Sequence, residues 1–180
     1  MNGTTRWITA GTGLSVGVAA GLAIKRARTR SAAPETVPFV DLERYAGRWF
    51  EIARYPTRFE RRCARNSTAQ YTVVDGKLRV VNTCTTQDGD VLVTSGWACV
   101  DDPQTNAKLN VRFGPFARGK YWILDLAADY SFAVVGEPHK NFLWILSRTP
   151  SLDEAVFARI CDSLAGFGYD AGRLQRTLQE

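Results

Sequence analysis

The chain has 180 residues, 45% of them hydrophobic and 11% aromatic, which is enough for one substantial core and excludes a disordered chain. A formal charge of +5 points toward a polyanionic partner, yet the excess is confined to one end: residues 1–34 hold Arg6, Lys25, Arg26, Arg28 and Arg30 and no acid. Removing those five from the 23 basic residues leaves 18 against 18 acids, so the remainder is formally neutral and a basic nucleic-acid-binding domain is disfavoured.

In chain order, residues 7–24 read WITAGTGLSVGVAAGLAI and are followed by KRARTR. An uncharged stretch of this length just spans a bilayer as a helix, and Gly13, Gly17 and Gly21 form a small-residue ridge along it. Residues 1–30 are therefore expected to hold an apolar helix that anchors the chain to a membrane, with a basic flank. A signal peptide cleaved between Ala20 and Gly21 is the competing reading. The four cations after the segment would keep the C-terminal domain in the cytoplasm. Four cysteines (Cys63, Cys84, Cys99 and Cys161) suggest instead an oxidising compartment. The expected setting is the cell envelope, membrane-anchored or periplasmic, with the cytoplasm-facing orientation left open. Residues 31–40, SAAPETVPFV, carry two prolines and no period, and read as a linker to a domain over 41–180.

That domain is a series of short strand-like runs at 48–55, 67–74, 77–84, 91–100, 107–113, 120–126, 130–136 and 142–148. Asp75-Gly76 closes the second run with the strongest short hairpin signal. In the fifth, Ala107, Leu109, Val111 and Phe113 alternate with Lys108, Asn110 and Arg112, one apolar face and one solvated. After Pro150 the period changes. Ser151 with Glu154 has the form of a capping box; Leu152, Ala155, Val156, Ile160 and Leu164 follow at helical spacing, and Gly166 and Gly168 end the helix. A tail at 171–178 is expected to add a flanking strand. No connection between the eight runs has room for a crossover helix, so consecutive runs are antiparallel neighbours. They predict an all-β fold, an eight-stranded antiparallel up-and-down barrel with a C-terminal helix outside, a sandwich being the alternative. Closure removes both edges, and a barrel of eight can hold one small ligand.

Three residue groups then align. Gly47, Arg48 and Trp49 open the first strand, Asp129-Tyr130 precede the seventh, and Arg148 closes the eighth. They resemble the three signature motifs of the lipocalins, with Ala128 standing where the turn motif has threonine. YAGRWFEIARYPTRFE, AKLNVRFGPF, YWILD and FLWILSRTPSLDE are similar to bacterial outer-membrane lipocalins, plant temperature-induced lipocalins and apolipoprotein D. The first cysteine is Cys63, so the N-terminal lipid-bearing cysteine of the bacterial members has no counterpart. The resemblance implies that Trp49 lies across the closed end of the barrel under the Arg148 guanidinium, with Gly47, Asp129 and Tyr130 as structural companions. It also implies that Tyr71, Asn82, Trp122 and Trp144 face the cavity; period two adds Leu109, Val111 and Phe113.

Catalysis finds little footing. There is one histidine, His139, in a loop, and no phosphate loop or nucleophile motif; no metal or cofactor is expected. Cys84 and Cys99 each share a strand face with residues that could point inward, but no base accompanies either thiol. Four cysteines allow three connectivities, which spacing does not rank, or free thiols; Cys63–Cys84 is one pairing considered. The expected function is non-enzymatic: binding and transport or sequestration of a small hydrophobic ligand, of fatty acid or lysophospholipid type, at the cell envelope. A thiol-dependent lipid isomerase or peroxidase in the same barrel is the alternative, and a filled-barrel scaffold the third reading. In the first loop, RFERRCAR, Arg58, Arg61, Arg62 and Arg65 are candidates to attract an anionic head group.

Overall fold

The computed structural model describes residues 32–115 and 117–180. The apolar segment 7–24, expected as an anchoring helix, lies outside the described residues. Among the described residues no helix is long and apolar enough to cross a membrane. Within the stretch read as a linker, the Val37 N–H donates to Ile123 O at 3.0 Å and the Val40 N–H to Thr105 O at 2.8 Å, and Val40 is fully buried. A one-turn helix not anticipated from the pattern follows, α1 (Leu42–Tyr45), started by Asp41, whose carboxylate accepts from the Glu43 and Arg44 N–H groups.

Eight strands then run β1 (Gly47–Arg54), β2 (Arg65–Val74), β3 (Lys77–Thr85), β4 (Val91–Val100), β5 (Lys108–Phe113), β6 (Ala117–Leu126), β7 (Phe132–Gly136) and β8 (Leu143–Ser147). Each pairs antiparallel with the next, and β1 pairs with both β2 and β8. The sheet is a closed barrel, not a sandwich, with the antiparallel neighbours that the short connections require. The Asp75-Gly76 hairpin forms with both residues at positive φ, 48° and 71°, the backbone twist that suits a two-residue turn.

After the barrel come helix α2 (Glu154–Ser163) and a ninth strand, β9 (Gln175–Arg176). The helix starts later than the capping-box reading placed it. Its cap is Asp153, accepting from the Ala155 and Val156 N–H groups at 2.9 and 3.0 Å. The Ser151 carbonyl accepts instead from the Thr149 hydroxyl, which keeps Ser151 in the preceding turn. Strand β9 pairs with β1 at Ala53↔Arg176. Beyond it the Gln179 amide donates to Glu51 O at 2.8 Å and Ser67 O at 2.9 Å, so the tail fills the seam where β1 and β2 diverge.

Period two gives the wall two apolar faces. The inner one is built around Trp49, Tyr71, Leu78, Val80, Leu109 and Ile123. The outer one, with Ala53, Leu124, Val134, Leu143 and Ile145, is the bed on which α2 lies through Ile160 and Leu164.

Candidate ligand-binding cup

One end of the barrel is closed by the motif residues. Trp49 is fully buried, and its indole N–H donates to Tyr45 O at 2.9 Å, so burying it strands no polar group. The Arg148 guanidinium stacks 3.8 Å from the Trp49 ring centroid. It donates to the carbonyls of Arg48, Arg44 and Tyr45 at 2.9, 2.7 and 3.1 Å and through Nε to Tyr130 O. One planar cation thus joins α1, β1 and the β6–β7 turn. Asp129 accepts from the Ser131 N–H to shape that turn. Tyr130 holds a positive φ of 63°, its hydroxyl accepting from the Asp41 N–H and its ring carrying the Arg44 guanidinium at 4.0 Å. On the inner side of this floor three phenols meet. The Tyr45 and Tyr121 hydroxyls are 2.7 Å apart and Tyr71 donates to Tyr121 at 3.0 Å. Burial pushes the Tyr71 phenol up to about 12 and the other two well above their ordinary value, so all three are neutral donors or acceptors at physiological pH.

Strand register sorts the expected ligand residues. Tyr71 pairs with Val80, Asn82 with Thr94, and Val111 with Gly119; these lie on the inner face with Leu109, Phe113 and Trp144. Leu109 is fully buried near the floor. Asn82 and Thr94 are exposed although they face inward, so solvent enters the barrel from its other end. Trp122 belongs elsewhere. It pairs with Lys108, on the outward face of β5, packs against the outer cluster, and carries the Lys108 ammonium 5.1 Å from its ring centroid. The alternation that turns its neighbour Tyr121 inward turns Trp122 outward. Tyr121 and Tyr45 are among the interior polar residues that sequence reading missed; Tyr121 lies opposite Leu109 in the register.

The open end is covered in part by the β1–β2 loop. Cys63 in this loop is disulfide-bonded to Cys84 on β3, with the Cα atoms 5.5 Å apart. Cys99 pairs with Asn110 on the outer face and is exposed, and Cys161 is the other free thiol among the described residues. Of the four loop arginines, Arg65 is paired with Glu180 at 3.0 Å. Arg58, Arg61 and Arg62 are exposed. Glu60 points in: it accepts from the Trp144 indole N–H at 3.2 Å and the Thr57 hydroxyl at 2.8 Å, and lies 3.3 Å from Arg54 Nε. Arg54 also meets Glu51 at 2.9 Å, and Thr177 from the tail donates to Glu51. Burial, with the Glu60 charge adding to it and Arg54 only partly opposing, pushes the Glu51 carboxyl up to about 7. His139 is exposed, its backbone N–H held by Glu137. Among the described residues no group of three or more His, Cys, Asp or Glu could hold a metal ion.

This arrangement is a cup with an apolar inner wall, a phenol-lined floor and cations at the rim. Comparison with known proteins agrees with the architecture. A lipocalin-like domain model matches residues 40–179. The chain is 37% identical over 154 residues to temperature-induced lipocalin-1 of Arabidopsis thaliana, covering 81% of this chain and 82% of the relative. It is 38% identical over 136 residues to the outer membrane lipoprotein Blc of Escherichia coli K12, covering 74% and 76%. Lobster apocrustacyanin A1 has the same fold, with a TM-score of 0.65 at 16% identity over 83% of this chain and 91% of that one. With its floor, register and cup in place, the chain belongs to the lipocalin-like family.

Proposed function

We propose that the protein binds and carries, or sequesters, a single-chain lipid such as a fatty acid or lysophospholipid at the cell envelope, without catalysis. One observation carries the reading: inward-facing Asn82 and Thr94 are solvent-exposed above an apolar wall and a sealed floor. Each methylene taken from water into such a wall contributes about 0.8 kcal/mol, so a long acyl chain binds without specific contacts. Arg58, Arg61 and Arg62 at the rim favour an anionic head group. Similarity to an outer membrane lipoprotein supports the envelope setting, with residues 7–24 as the proposed tether. The thiol-enzyme alternative is less well supported, because Cys84, the cysteine on the inner face, is consumed by its disulfide and Cys99 faces outward.

Native mass spectrometry of the chain purified from its host, with organic extraction, tests this. The expected result is a fatty acid or lysophospholipid at near-stoichiometric occupancy, displaceable by competing lipid, with quenching of Trp144 fluorescence that a Trp144→Phe variant lacks. An empty protein whose Trp144 ignores added lipid would overturn the reading and leave a filled-barrel scaffold.

A further inference from the structure

The outer wall of β3–β6 carries a feature that the cup does not use. One transverse row crosses four strands in register: Arg79 opposite Trp97, Trp97 opposite Arg112, and Arg112 opposite Arg118. All four side chains are exposed. Like charges directly opposite one another across a strand pair destabilise it, and folding alone gives no reason for the Arg112–Arg118 pair. Among the described residues Lys77, Arg79, Arg112 and Arg118 form no ion pair, whereas Lys120 is held by Asp101 at 2.7 Å. Asp75, in the β2–β3 turn, is the other acid beside the row. Below the row lies an open recess of about 770 Å³ lined by Lys77, Trp97, Cys99, Asn110, Arg112 and Arg118 among others. Toward the mouth, past the row and the exposed Ser95, the same face of β4 presents Val93 and Val91, 62% and 66% exposed, with Trp97 at 44% on the other side of Ser95; Asp88 and Asp90 come next, in the turn beyond. Scattered exposed apolar residues need no explanation, but a row of them on one strand face does.

We propose that this wall is a docking face for an anionic phospholipid bilayer, the Arg79–Trp97–Arg112–Arg118 row taking headgroup phosphates and Val91 and Val93 meeting the acyl boundary. Charge complementarity selects the partner: three guanidiniums and Lys77 face outward without carboxylates of their own. A polypeptide has less to grip, since both edges of β4 are already paired, with β3 and β5, and no strand can be added. Tryptophan at the level of the row suits the headgroup layer. The inference is independent of what fills the cup, although a lipid carrier lying on a bilayer would have its cargo at hand.

The test uses the full chain with Cys161→Ser, labelled at Cys99 with an environment-sensitive fluorophore. Vesicles of phosphatidylcholine with phosphatidylglycerol should shift the emission to the blue, and vesicles of phosphatidylcholine alone should not. In the Arg79→Gln/Arg112→Gln/Arg118→Gln background the apparent vesicle affinity should fall on the order of a hundredfold, while the circular-dichroism spectrum and the melting temperature of the parent chain are retained, which shows that the barrel is intact. No shift on anionic vesicles, or a shift that survives the triple substitution, would overturn the proposal. Because the probe reports only its own wall, attachment of the chain through residues 7–24 does not mimic the signal. Cup occupancy, read by mass spectrometry, fails or succeeds separately.

Discussion

Gly47 stands where a side chain would be doubly penalised. Its φ is +99°, and a Cβ there would come within 3.1 Å of Arg148 Nη1, so the glycine of the opening motif makes room for the arginine of the closing one. Arg148 in turn satisfies carbonyls from three separate pieces of chain and covers Trp49. Replacing it by alanine removes a cation–π contact and leaves those carbonyls to water, an expected loss of about 2–4 kcal/mol. Thermal unfolding of Arg148→Ala should accordingly fall by about 5–15 °C. Arg148→Lys should recover less than half of it, because one ammonium cannot reproduce a planar fork. Equal melting of wild type and Arg148→Ala would show that the floor is held by packing alone. These partners were legible through the resemblance to the lipocalins, whose opening and closing motifs Gly47, Trp49 and Arg148 match. Trp122 was not: β6 buries residues on both faces, Ile123 inward and Leu124 outward, so an apolar residue there carries no sign of direction.

At the scale of elements, the β1–β2 loop is tied to the barrel at several points. The Cys63–Cys84 disulfide ties it to β3 across a separation of 21 residues, and Glu60 ties it to Trp144 on β8. Closing a loop of that length contributes roughly 3 kcal/mol, so a Cys63→Ser/Cys84→Ser protein should melt about 6–12 °C lower. It should also be cut faster by trypsin at Arg58, Arg61 and Arg62. Unchanged melting with unchanged cleavage would mean that the noncovalent contacts, those of Glu60, the Ala64 N–H bond to Thr85 O and the Phe59–Phe142 ring contact, hold the loop without the disulfide. The existence of strands, hairpin and helix was readable from period and turn residues, which are local. The pairing of cysteines was not, since three connectivities fit the spacing equally well. Nor was the true helix start: Ser151 and Asp153 both suit a cap, and only the Thr149 bond to the Ser151 carbonyl separates them.

For the whole molecule, stability should depend on pH through Glu51. Its folded-state carboxyl is raised to about 7 from an ordinary 4.5, by burial first and by the Glu60 charge second. A raised acid holds its proton more tightly when folded. The stability it contributes is therefore fully present below about pH 4.5 and is lost as pH rises through about 7. Urea midpoints measured across that window should decline for the wild type and be flatter for Glu51→Gln, which keeps a polar partner for Thr177 and Arg54. Parallel curves for the two proteins would assign the titration to another group. This site joins residues far apart in the chain. Glu51 and Arg54 come from β1, Glu60 from the loop and Thr177 from the tail.

The chain order of its signals was enough to establish strand number, antiparallel neighbours and the C-terminal helix, each of which rests on short-range periodicity or turn chemistry. Closure was expected with a sandwich as the alternative, and the floor motif came from the resemblance to the lipocalins. Assembly settled which face of β6 meets the interior, which cysteines pair, how the C-terminal tail seals β1 against β2, and how three phenols gather on the floor. Those outcomes depend on long-range contacts, 126 residues apart in the case of Glu51 and Thr177. Local pattern carries no record of such distances, and closing the barrel is what brings the groups together.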